Sequence, residues 1–191
     1  VKQVVNHFKN DKRFTEIILI GHSQGSLIAM ISLDSVDKYI SIAGAGETID
    51  KTIVKQISAQ NKGLGDVAKS YLKELKEKGK IDTVNPFLMS LFAERNQPFL
   101  KSWIELDPIL EIEKIKIPTL IINGDKDLQV KIEDGQNLHR AKPNAEFSII
   151  KNMNHVLKSI LEDENNLKSY YTEEFPISED LIKVVVQFVK K

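Results

Sequence analysis

Short apolar runs alternate with stretches of helical periodicity at both ends of the chain. Residues 1–10 set Val1, Val4, Val5 and Phe8 at helical spacing, and the polar turn Asn10-Asp11-Lys12 closes that segment. Ile17-Ile18-Leu19-Ile20 follows as an unbroken apolar run, the pattern of a strand buried on both faces of a parallel sheet. A turn over 21–25 leads into a second helical pattern over roughly 24–33, and 39–43 predicts another strand, closed by Gly44-Ala45-Gly46. Pro118 introduces a third strand, Thr119-Leu120-Ile121-Ile122, and a helix is expected over about 130–140. Pro143-Asn144 turns the chain into a fourth strand over 146–150, and the polar stretch 162–174 predicts a surface loop. Ser178 suits the N-cap of a last helix through Phe188, with Glu179 and Asp180 in its first turn.

Strands alternating with helices at this spacing predict right-handed βαβ units. The fold class is therefore α/β, with a three-layer parallel sheet of about four strands. Residues 47–103 break the rhythm. They are helical in pattern, interrupted at Lys62-Gly63-Leu64-Gly65, at Gly79 and at Asn85-Pro86. Such an insertion is too long for a structureless loop and predicts a helical lid, set into a core made of 1–46 and 104–191. Phe87, Phe92, Phe99 and Trp103 cluster in its last part. Most of these aromatics are expected in the lid's own core, with Phe87, Phe92 and Trp103 as candidates for lining an apolar substrate pocket.

The chemistry concentrates at Gly21-His22-Ser23-Gln24-Gly25, a G-x-S-x-G between an apolar strand and an amphipathic helix. A nucleophilic serine needs a sharp strand-to-helix turn that projects its Oγ, and flanking glycines let strand and helix approach closely. The helix N-terminus favours developing negative charge, and the Gln24 backbone N–H is the candidate oxyanion donor. An acid and then a base should follow along the chain, on loops at the carboxyl ends of later strands. Of four histidines, His7 precedes the serine, His22 lies within the turn and His139 falls inside a helix, leaving His155 directly after the fourth strand as the base. For the acid, Asn123-Gly124-Asp125-Lys126-Asp127 offers two aspartates. Asp125 suits a turn-stabilising role, and Asp127 lies further out, where a side chain can reach an imidazole.

Composition narrows the alternatives. Lys+Arg and Asp+Glu both number 27 among 191 residues, so no basic face for nucleic acid is implied. Cysteine is absent, which excludes disulfides, thiolate-held zinc and a thiol nucleophile. No apolar run approaches membrane-span length, and the chemistry asks for no metal or cofactor. The chain opens at Val1 within a helical pattern and reads as a piece of something longer, so its compartment is not legible.

Taken together, the passages 20–25, 117–127, Asn154-His155 and the join at 103–108 resemble the α/β-hydrolase superfamily, in particular lidded bacterial carboxylesterases and serine-aminopeptidase-like hydrolases. The resemblance implies a Ser23–Asp127–His155 triad, with the acid at the second aspartate of G-D-x-D, acting on a small acyl ester through an acyl-serine. The same triad serves peptidases, thioesterases and acyltransferases. Such proteins usually carry four further strands before the opening helix, bringing a second oxyanion N–H. No such loop is visible here, which raises the alternative of a non-catalytic or partner-dependent fragment. It also leaves 17–20 as an open apolar edge through which a homodimer could pair.

Overall fold

Four parallel strands form in the computed structural model of the protein, which describes residues 1–191. They are β1 (Ile18–His22), β2 (Lys38–Ile42), β3 (Thr119–Gly124) and β4 (Glu146–Ile150), side by side in chain order. Ile20 pairs with Ile40, Ile40 with Leu120, and Leu120 with Glu146, so all four carboxyl ends reach one edge of the sheet. The helices are α1 (Lys2–Lys9), α2 (Gln24–Met30), α3 (Ile49–Gln60), α4 (Lys62–Lys78), α5 (Met89–Phe92), α6 (Gln97–Ile104), α7 (Pro108–Glu113), α8 (Ile132–Ala141), α9 (Asn165–Lys168) and α10 (Glu179–Val189). The chain divides into two compact units, 1–46 with 108–191, and 47–107.

In the first unit, side chains alternate across the central strands. Ile40, Ile42, Leu120 and Ile122 pack with Leu181 and Phe188 of α10. On the opposite face Tyr39 and Ser41 meet Ser26 of α2. Cover on both faces is the reason that β3 reads as an apolar run, whereas β2 carries Ser41, whose hydroxyl is satisfied by Ser26. β1 pairs with β2 alone, so its other edge is open and Ile20 is 48% exposed. Ser178 caps α10, its hydroxyl accepting the Leu181 N–H. The polar stretch 162–174 is largely exposed turn, as expected of a surface loop, but it contains the single turn α9 and buries Asn166 and Ser169.

The second unit is built on α3 and α4, with Ile53, Ala68, Leu72, Leu75, Phe92, Leu100 and Ile104 in its core. Asn61 caps α4 by accepting the Leu64 N–H, and Gly79 ends it at φ +79°, a left-handed conformation that a Cβ would strain. The buried Gln97 amide accepts from Ile81 N–H and donates to the carbonyls of Ile81 and Phe92. The three aromatics considered for a substrate pocket take different places. Phe92 is wholly buried in this core, edge-on to Tyr71 with ring centroids 5.4 Å apart, so it offers no surface to a ligand. That corrects its reading as a pocket residue. Trp103 is half-buried beside Phe99, and Phe87 is 82% exposed. No helix of either unit is long and apolar enough to cross a membrane.

The burial contrast predicts a stability contrast. Phe92→Ala should cost about 3–5 kcal/mol in urea unfolding, as large-to-small core changes do. Phe87→Ala should stay within about 0.5 kcal/mol, as exposed substitutions do.

Candidate active site

Ser23 stands between β1 and α2 at φ 54°, ψ −124°, a backbone conformation that L-residues avoid. Hydrogen bonds hold it there: the Ser23 N–H donates to the Ile42 carbonyl at 2.9 Å, and the Ser26 N–H donates to the Ser23 carbonyl at 3.0 Å. Behind the turn, the Ser26 hydroxyl lies 2.8 Å from the Tyr39 hydroxyl and 2.7 Å from that of Ser41, which ties α2 to β2. Burial pushes the Tyr39 phenol pKa far up, keeping it a neutral partner in this cluster. The two motif glycines differ. A Cβ on Gly21 would lie 2.3 Å from the Gly25 carbonyl oxygen, whereas a Cβ on Gly25 would meet open space. Only Gly21 is required by the close approach of strand and helix. Gln24 is the first residue of α2, where helix geometry leaves the backbone N–H without an intrahelical acceptor.

The two aspartates after β3 separate into distinct roles. Asp125 Oδ1 accepts the Asn152 N–H at 2.6 Å and so joins neighbouring turns. Asp127 is buried. Its Oδ1 accepts the N–H groups of Gln129 and Val130 at 2.7 and 2.9 Å, which aims Oδ2 away from its own loop. Oδ2 accepts the His155 Nδ1–H at 2.8 Å. With Nδ1 protonated, His155 Nε2 faces the Ser23 hydroxyl as an acceptor at 3.1 Å. Ser23, Asp127 and His155 therefore meet in one hydrogen-bonded line, although they follow β1, β3 and β4.

His155 sits on a tight turn bounded by positive-φ residues Asn152 and Leu157, and closed by the Ile160 N–H donating to the Asn152 carbonyl. Two anchors of this turn lie within the passages 20–25 and Asn154-His155, but their spacing gives no sign of the role. His22 Nε2–H donates to the His155 carbonyl at 2.8 Å, with its ring tilted against that of His155 at 4.9 Å. Asn154, which is buried where His22 is not, reaches Asn166 and Ser169 on the following segment. Desolvation lowers the His22 pKa, and it outweighs the help of the hydrogen bond. Burial raises that of Tyr170, and the Asp127 carboxylate adds to the rise. The other histidine considered, His139, stacks on Phe147 within α8. No cluster of three or more His, Asp or Glu side chains is arranged to hold a metal.

No protein-family model matches the chain, and no curated protein sequence matches it. Solved structures do resemble it. An esterase from Pyrococcus furiosus aligns over 99% of this chain and 59% of its own, with a TM-score of 0.60 and 19% identity. A bromoperoxidase from Bacillus anthracis aligns over 99% and 71%, with a TM-score of 0.55 and 17% identity. An esterase from Exiguobacterium antarcticum aligns over 100% and 72%, with a TM-score of 0.54 and 18% identity. The chain thus spans about three fifths to three quarters of these proteins, and its fold is that of the α/β-hydrolases.

Two outcomes follow from this geometry. Gly21→Ala should destabilise the first unit by about 2–3 kcal/mol, because backbone must shift. Gly25→Ala, within a helix and facing open space, should be neutral or stabilising by up to about 1 kcal/mol in the same denaturant titration. Secondly, the folded pKa of His22 lies below the ordinary 6.5, so the unfolded chain binds its proton first as pH falls. Stability then rises with pH through the interval just below 6.5 and is lost on its acid side. His22→Gln should flatten melting temperature against pH in that interval, and an unchanged slope would contradict the assignment.

Proposed function

We propose that the chain is a serine hydrolase that cleaves small, uncharged carboxylic esters through an acyl-serine. The observation that carries this reading is the continuous line of hydrogen bonds from Asp127 through His155 to a serine held on a strained turn. In the first half-reaction Ser23 Oγ attacks the ester carbonyl carbon while His155 Nε2 takes its proton. The carbonyl oxygen becomes the oxyanion of a tetrahedral intermediate and accepts the Gln24 N–H, beside the positive end of α2. The intermediate collapses by breaking the bond to the alcohol oxygen. His155 returns the proton to that leaving group, and Ser23 keeps the acyl group. Water then attacks the acyl carbon, giving up its proton to His155; the bond from that carbon to Ser23 Oγ breaks, His155 returns the proton to Oγ, and the carboxylic acid product leaves. Asp127 keeps the proton on Nδ1, so that Nε2 is the basic nitrogen, and stabilises the imidazolium without taking a proton itself.

Two esterases among the similar folds lean the reading toward esters over peptides, thioesters or acyl transfer. So does the helical unit 47–107, taken as a lid, whose exposed aromatics include Phe87 and Phe99. Hydrolysis of a short-chain p-nitrophenyl ester tests the reading. We expect turnover with a pre-steady-state burst, and losses in kcat of about 10⁶-fold for His155→Ala and about 10⁴-fold for Asp127→Asn. Absence of both turnover and acyl-enzyme in a folded sample would overturn it.

The open edge of β1 supports a second proposal, that two copies pair through this strand. Light scattering should then return twice the chain mass at micromolar concentration, and a monomer throughout would contradict the pairing.

A further inference from the structure

The turn that carries the base and the turn that carries the acid are joined by more than the His155–Asp127 hydrogen bond. Asn154, immediately before His155, is fully buried. Its Oδ1 accepts the Lys158 N–H at 3.0 Å, and its Nδ2 donates to Asn166 Oδ1 at 3.2 Å and to Ser169 Oγ at 2.7 Å. Asn166, also buried, donates from Nδ2 to the carbonyl of Lys126, the residue before Asp127, at 2.7 Å. Ser169 donates its hydroxyl proton to the Asn166 carbonyl at 2.7 Å, which leaves its oxygen free to accept from Asn154. Every donor in this set points the same way, from Lys158 N–H through Asn154 and Asn166 to the Lys126 carbonyl. Such a chain polarises each bond by the next and admits one orientation of each amide.

Asn154 and Lys126, which it joins, are the chain neighbours of His155 and of Asp127. The segment that supplies Asn166 and Ser169 is itself held to the base turn, with Lys158 Nζ donating to the carbonyls of Ser169 and Thr172. The salt bridge of Lys126 to Asp163 ties it to the acid turn. We propose that Asn154 and Asn166 are positioning residues: the amide bridge between them sets the separation of the two turns, and thereby the His155–Asp127 hydrogen bond. Residues 162–172 are on this account a strut of the active site. The role in catalysis rests on the acyl-serine reading above, whereas the geometric claim does not.

The experiment is proton NMR of the folded chain, reading the downfield His155 Nδ1 proton, alongside kcat and KM for a short ester. The signal is assigned by its loss in His155→Ala. In Asn166→Ala we expect it to vanish or broaden, with kcat lower by about ten- to a hundred-fold and KM unchanged, since a small misplacement of a reacting group has effects of this order. Asn166→Asp keeps the acceptor for Asn154 but sets an oxygen against the Lys126 carbonyl in place of the donor, so its loss should at least equal that of alanine. It also carries the test if the alanine variant does not fold. A folded variant that keeps the wild-type signal and kcat overturns the proposal. Loss of the signal in a chain without esterase activity would uphold the bridge and sink the proposed reaction. A wild-type chain without the signal would overturn the hydrogen-bonded dyad and the bridge with it.

Discussion

Asp127 and His155 place a carboxylate and an imidazole 2.8 Å apart, both nearly sealed from water. Polar groups buried in this way are tolerable only when their remaining hydrogen-bonding capacity is also met. The surroundings are organised by that requirement. Two backbone N–H groups occupy the other oxygen of Asp127, and Lys131 Nζ donates to its main-chain carbonyl. His22 fixes the carbonyl of His155. The loops after β3 and β4 are thus committed to one conformation by the pair they carry.

The parallel sheet makes the meeting possible. Parallel strands in register deliver their carboxyl ends to a single edge, where loops distant in sequence become neighbours. Ser23 joins the pair from β1 because its turn is held in a strained conformation. The strain persists because the turn is over-determined by the bonds to Ile42 and Ser26, by the hydroxyl cluster of Ser26, Tyr39 and Ser41, and by the absence of a Cβ at Gly21. Stability spent on these contacts holds Oγ toward His155.

Much of this was legible in the residues. The apolar run of β3 marks a strand covered on both faces, and the spacing around Ser23 marks the turn because only glycine fits at position 21. His155 stands out by elimination, and the two aspartates after β3 are separated by reach. What the pattern conceals is tertiary. The segment 162–174 reads as solvent-exposed because its residues are polar, but Asn166 and Ser169 spend that polarity on buried partners that periodicity does not reveal. Phe92 resembles its exposed neighbours in sequence and differs only by filling the centre of the helical unit. Gly25 matches the motif as well as Gly21 does, yet open space surrounds it.

The central claim is that Ser23 is a nucleophile activated by His155. Labelling with a fluorophosphonate probe, followed by peptide mass mapping, tests it most directly. The account predicts covalent modification confined to Ser23 and abolished in Ser23→Ala, with labelling strongly slowed in His155→Ala. Absence of modification in the folded chain, or labelling that survives Ser23→Ala, would contradict it.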